Sequence, residues 1–381
     1  MNIAIEGGQV LLADGTLAQT TLGLRDGLIA SLNSLGGRRF DAQGCLVLPG
    51  IVDLHGDAFE RQMMPRPNVH FPADVALIDT DRQLIANGIT TAYHGVTYSW
   101  EPGLRGADSV RGLVRTLVAI RPQLAADTRL HLRWETHALD AVAEIERWLA
   151  EGLIDLLAFN DHLASIERQM RRPEKLGEFT GRSGLGMEDF RDLTQATRAR
   201  AAEVPAAIER LAGMARARGV AMASHDDESP EMRARFQALG CGICEFPANA
   251  ATAAAALADG AVTVLGAPNV LRGGSHAKPK RLSASESVAA GLCSALTSDY
   301  FYPALLLAAF HLAKTGAASL ARAWDLISAA PAKAVGLTDR GSIAAGRRAD
   351  LIVVDAGKAM PQIVATFVAG RPVYGWDDRW Q

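Results

Sequence analysis

An α/β fold, a (β/α)8 TIM-like barrel carrying a small β-sandwich domain built from both termini, is predicted by three observations. Eight short apolar runs alternate with helical patterns through the middle of the chain. Both ends are rich in strand-like runs and turns. Several of the central runs stop on histidine, aspartate or glutamate, the residues that barrel enzymes place at the C-terminal ends of their strands.

Residues 1–45 alternate and turn often, with Asp14-Gly15 and Asp26-Gly27 marking hairpins between apolar runs. Strand candidates follow at 46–54, Ile89–Tyr93, Arg129–Trp134, Ile154–Phe159, Val220–Ser224, Gly242–Phe246, Val262–Gly266 and Ala295–Ser298. Helical patterns such as Val110 to Ile120, Leu139 to Ala150 and Val204 to Arg218 separate most of them, which implies parallel βαβ units. Eight such units fit a closed barrel of roughly 250 residues. Strand-like runs return at Ala349–Asp355, Ile363–Val368 and Pro372–Tyr374. The expected division is therefore 1–45 and 341–381 for the small β domain and 46–340 for the barrel. One connection, residues 163–203, is oversized and arginine-rich, and connections of that length at the C-terminal face often serve as lids.

The 381 residues are 49% hydrophobic and 21% charged, with a formal net charge of −3, so nothing points to a nucleic-acid or membrane partner. The alanine-rich stretch Ala250 to Ala258 is too short to span a bilayer, and no signal peptide opens the chain. A cytoplasmic protein, with a homo-oligomer left open, is the expectation. Cys45, Cys241, Cys244 and Cys293 are scattered; the Cys241-Gly-Ile-Cys244 pair lacks a second pair for zinc and reads as core thiols.

The first central run closes on His55-Gly-Asp57, and side chains at i and i+2 on a strand share a face. Glu135, His162, His225 and Asp299 each follow a later run. Together, His55, Asp57, Glu135, His162, His225 and Asp299 are the candidate ligands of two divalent metal ions, with zinc favoured and manganese or iron as rivals. No lysine precedes Lys175, so a carboxylated lysine cannot bridge the ions from a mid-barrel strand, and Glu135 is the expected substitute. His94 ends the second run as a possible ligand or pocket residue, and His137 competes with Glu135. His131, inside a strand, reads as packed. Asp226 and Asp227 read either as groups orienting His225 or as a helix N-cap.

A cationic side is also legible. Arg272-Gly-Gly-Ser275-His276 combines donors with a backbone free to approach an anion, and Lys278 and Lys280 follow. Arg66 stands between two prolines, and Arg133 lies two residues before Glu135 on the same strand face. Arg66, Arg133, Arg272, Ser275 and His276 are the candidate substrate-binding residues for a phosphorylated small molecule.

These residues together resemble the amidohydrolase superfamily, and within it the phosphonate-metabolism branch of α-D-ribose 1-methylphosphonate 5-triphosphate diphosphatases. The resemblance runs nearly end to end. It rests on Leu48-Pro-Gly-Ile-Val-Asp-Leu-His55-Gly-Asp57, Pro65-Arg-Pro67, Gly88-Ile-Thr-Thr91, Leu130-His-Leu-Arg-Trp-Glu135, Ala223-Ser-His-Asp-Asp227, Gly266-Ala-Pro-Asn269, Arg272-Gly-Gly-Ser-His276 and Ser298-Asp-Tyr300. It implies a metal-dependent hydrolase that cleaves inside a triphosphate ester, releasing pyrophosphate and leaving a 5-phosphate. Asp299 would then carry the proton from the attacking water to the leaving group. Two other readings compete: hydrolysis of a C–N bond in an acylated amine or cyclic amide, and a metal-free scaffold.

Overall fold

The computed structural model describes residues 2–32, 37–275, 281–375 and 377–381, with side chains at 173–176, 178 and 377 outside that description. Its centre is a parallel eight-stranded sheet: β1 (Ile51–Gly56), β2 (Ile89–Tyr98), β3 (Asp127–Glu135), β4 (Leu156–Asn160), β5 (Ala221–His225), β6 (Ile243–Glu245), β7 (Val262–Gly266) and β8 (Ala295–Thr297). Each strand pairs with its sequence neighbour, and helices such as Ala107–Ile120, Val142–Ala150 and Val204–Ala217 fill the crossovers. The expected barrel is present, and seven of the eight strand candidates coincide with a strand.

The remaining candidate, 46–54, divides. Leu46–Pro49 pairs antiparallel with Leu351–Asp355 in an outer sheet, and β1 begins only after Gly50. A Cβ at Gly50 would stand 2.3 Å from Thr90 Oγ1, so only glycine fits where the chain passes from one sheet to the other. An unbroken apolar run reads as one strand because both halves are buried, and the changeover carries no polar signal.

β8 and β1 close the barrel without a regular ladder. At the lower end, Val52 N–H donates to Ile327 O and Leu296 N–H to Leu326 O, so the 326–327 segment fills the gap. At the upper end, Asp299 N–H donates to His55 O and Asp57 N–H to Asp299 O, both at 2.9 Å. Between them lies Asp53, a fully buried carboxylate that accepts from Thr297 Oγ1 at 2.6 Å and Ser298 N–H at 3.0 Å. The seam is thus made by the residues that flank the candidate ligands.

The terminal segments form two further sheets. One has the order Leu28–Ser31, Leu22–Arg25, Asn2–Glu6, Arg38–Asp41; the other runs Arg371–Gly375, Gln362–Val368, Leu351–Asp355, Leu46–Pro49, Gln9–Leu11, Leu17–Gln19. Ile3, Ile5, Phe40, Val47, Leu351 and Phe367 pack between them, each removed from water and stabilising by about 1.5–3 kcal/mol. All four cysteines are free and buried, as a core reading requires. No helix among the described residues is long and apolar enough to cross a membrane.

The 163–203 connection folds into helices Leu163–Gln169, Pro173–Ser183 and Met187–Ala199. Several of its arginines are paired, within it or with neighbouring segments: Arg198 with Glu167, Arg200 with Asp140 and Glu203, and Arg182 with the buried Glu101 of the loop after β2.

Candidate metal centre

The strand period brings His55 and Asp57 to the top of β1, and the Gly56 between them is required. A Cβ there would meet Asp53 Oδ2 at 2.8 Å and the ring of Tyr302 at 3.0 Å. His55, Asp57 and Asp299 each offer an atom within 4.8 Å of the others. His162, His225 and Asp226 form a second such group, and His55, His225 and Glu245 a third.

Glu245 was not among the expected site residues, although Gly242–Phe246 was recognised as a strand. Its carboxylate is fully buried at the end of β6. One oxygen lies 3.0 Å from His55 Nδ1 and the other 3.1 Å from His225 Nδ1. An ionised carboxylate only accepts, so each ring donates from Nδ1, which leaves Nε2 as the atom a metal would take. Burial would raise the Glu245 carboxyl, but His55 and His131 override it and hold it well below the usual range. Burial takes His55 down to about 4 despite Glu245, so the ring is neutral at pH 7. Its one mark in the sequence is a lone glutamate inside an otherwise apolar strand.

His162 sits past β4 with Nδ1 2.6 Å from Glu135 Oε1, and its N–H donates to Glu135 Oε2 at 3.1 Å. Its Nε2 lies 3.7 Å from Asp226. The Glu135 charge raises His162 to about 9, while the same contact overrides burial and takes Glu135 down to about 2. Glu135 therefore stands directly against His162, a member of the second group. Asp226 also pairs with Arg281, and its N–H donates to Glu245 O at 2.9 Å. The N-cap alternative for Asp226 and Asp227 is corrected: Ser229 caps the helix Pro230–Ala238, accepting from Met232 N–H. Asp227 is instead held in a buried network with Ser224 Oγ and Arg233.

Backbone strain concentrates here. Asp226, Phe246 and Asp299, following β5, β6 and β8, all have left-handed φ, at 59°, 53° and 55°. For a residue as bulky as Phe246 this conformation costs about 1–3 kcal/mol. Its ring packs edge-on against both His55 and His225 at 5.2 Å, which helps hold the imidazoles in place.

Arg133, buried on β3, donates to Asp57 Oδ2 at 3.1 Å. Asp299 is raised to about 8, first by burial and then by the charge of Asp57. Crowded carboxylates, two Nε2 lone pairs preset by Glu245, and a third imidazole facing Asp226 form a donor set suited to divalent cations. The residues present fit a metal centre.

His131 is packed in the barrel, its Nδ1 2.9 Å from Leu54 O, as expected. His94 lies buried against Phe59 and is outside the three groups. His137 Nε2 lies 3.6 Å from Asp161 and is in none of the three groups. On the cationic side, a cavity of about 320 Å³ beside the centre is lined by His162, His225, Asp299, Arg272, Ser275 and Arg281, among others. Arg272 reaches Tyr300 Oη at 3.2 Å. Arg281 was missed because it follows a lysine-rich run that reads as solvated charge. Arg66 is exposed in a turn bridged to Val69 and is absent from the described lining of the cavities at the centre. His276, Lys278 and Lys280 lie outside the described residues.

Comparison with known proteins bears on the family and the fold. Residues 106–374 match the model of the amidohydrolase family. The chain is 34% identical over 325 residues to the α-D-ribose 1-methylphosphonate 5-triphosphate diphosphatase of Escherichia coli K12, covering 82% of this chain and 84% of that one. Among solved structures, molinate hydrolase superposes with a TM-score of 0.65 at 16% identity, covering 98% of this chain and 94% of that one. The 5-methylcytosine deaminase of Klebsiella pneumoniae gives 0.62 at 16% identity, covering 98% of each. At such identities these two establish the shared fold.

Proposed function

This chain belongs to the amidohydrolase family, and on that premise we propose that it hydrolyses the triphosphate of α-D-ribose 1-methylphosphonate 5-triphosphate, leaving the 5-phosphate and releasing pyrophosphate. The observation that carries the reading is the 34% identity to the E. coli diphosphatase over most of both chains. The centre supports it: a metal-ligating set beside a cavity that contains Arg272, Arg281 and Ser275.

His55, Asp57, Glu135, His162, His225 and Asp299 would hold two divalent ions, zinc by preference, with Glu135 also holding His162 in place. Bound there, the ions would supply Lewis acidity and an acidified water near neutral pH. The chain's own residues do the rest. Asp299 is pinned by two backbone hydrogen bonds to the β1 end, which hold its carboxylate at the centre beside Asp57, in reach of a proton on an attacking water. It takes the proton of the attacking water and returns it to the departing pyrophosphate. Arg272, Arg281 and Ser275 hold non-bridging oxygens, and Arg133 fixes Asp57, because phosphoryl transfer depends mainly on positioning and charge. Ser165 and Gln169, on the first helix of the 163–203 connection, line the same cavity and limit its access to bulk water. The four buried free thiols support a reducing, cytoplasmic setting.

The test is pyrophosphate release from the triphosphate by zinc- or manganese-loaded enzyme, with N-acyl amino acids and hydantoins in parallel. Pyrophosphate with no amide turnover is expected. Amide or ring hydrolysis without pyrophosphate would move the enzyme to C–N chemistry.

A further inference from the structure

A second cavity, of about 250 Å³, meets the first at His162, Ser165 and Gln169. The first lies over β5 to β8; the second lies over β2 to β4 and is lined by Arg105, Arg133 and Arg182 together with Phe179 and Ile166. Only Arg133 of these was expected to bind substrate. Each guanidinium is held on one edge by a carboxylate. Arg105 grips Glu60 through Nε and Nη2 at 2.9 and 2.8 Å. Arg182 grips Glu101 in the same way, also at 2.9 and 2.8 Å. Arg133 donates one terminal nitrogen to Asp57, and its buried Nε has no partner among the described residues. A fork braced on one edge keeps its remaining N–H donors in a fixed direction and loses little entropy on binding an anion.

The proposed substrate is anionic at both ends, and the two cavities meet beside the centre. Resting on the proposed function, we infer that the Arg105–Arg133–Arg182 cavity binds the methylphosphonate end, while the Arg272–Arg281 cavity takes the leaving phosphates. The charge balance favours this assignment. Glu101 and Glu135 also face the second cavity, which therefore suits a monoanion better than a polyanion. A methylphosphonate ester carries a single charge and an apolar methyl group, and the buried side chains of Phe179 and Ile166 give that methyl a dry wall. Arg182 and Phe179 belong to the 163–203 connection, so this subsite is complete only with that segment docked through the Arg182–Glu101 pair.

The test is calorimetric binding of two product-like probes to the metal-loaded full chain: ribose 5-phosphate with and without the 1-methylphosphonate. The wild type is expected to favour the phosphonate by about ten-fold or more. Replacing Arg182 alone would strand the buried Glu101, so the informative variant is Glu101→Gln with Arg182→Gln, which removes the pair as a neutral unit. This variant should reduce the preference to about three-fold or less. No preference in the wild type, or full preference in the folded variant, would overturn the subsite. A wild type that shows the preference yet releases no pyrophosphate would sink the proposed reaction and leave the subsite standing.

Discussion

Glu245 lies 3.0 Å from Nδ1 of His55 and, through its other oxygen, reaches the equivalent atom of His225 at 3.1 Å. One buried carboxylate thus sets the tautomer and orientation of two rings on different strands. Glu245→Ala releases both, and metal affinity should fall about 10–100-fold, read by competition with a chelator. Unchanged affinity in a folded variant would mean that packing against Phe246 alone orients the rings.

Asp299→Asn keeps the side chain's shape and one oxygen donor but cannot carry the proton. Metal content should remain, and kcat should drop by about 10^2 or more. Near-normal turnover in a fully metallated Asp299→Asn protein would remove Asp299 from the proton path.

Asp53 ties β8 to β1 through Thr297 and Ser298. Asp53→Ala leaves the buried Ser298 N–H and hydroxyl without their acceptor, while Thr297 Oγ1 keeps His55 O, and denaturant unfolding should show a loss of about 2 kcal/mol or more. A loss under about 1 kcal/mol would indicate that the 326–327 segment closes the barrel unaided.

Burial, followed by the charge of Arg121, lowers His94 to about 4. The neutral ring's contribution to stability is fully present above its unfolded pKa of about 6.5 and is lost as pH falls toward about 4, because there the unfolded chain binds the extra proton. In chelator-treated protein, His94→Gln should lose about 2 kcal/mol less stability than wild type between pH 7 and 4.5. Equal losses would show that His94 is solvated or partnered in the folded state.

The barrel was legible because each strand is an apolar run bounded by polar or helical segments, a pattern that survives in one dimension. His55 and Asp57 were legible for the same reason: a two-residue spacing at the end of such a run reports a shared face. Glu245 is marked in the sequence only as a lone charge in an apolar strand and Arg281 by no pattern, since their roles lie in partners far along the chain, His55 and Asp226. The split of 46–54 between two sheets was likewise invisible, because Leu46–Pro49 and Ile51–Gly56 are both buried and differ only in the strands they pair with.

The sequence by itself determined the fold class, the strand-end histidines and carboxylates, and the family resemblance, all of which rest on local pattern and short spacing. Only the tertiary structure decided that Glu245 presets two imidazoles, that Glu135 leans on His162, and that Arg105 and Arg182 meet Arg133 at a second cavity. Such relationships depend on which strand ends and loops come within a few ångströms after the barrel closes. Hydrogen bonds and charge pairs act over that distance, whatever the separation along the chain.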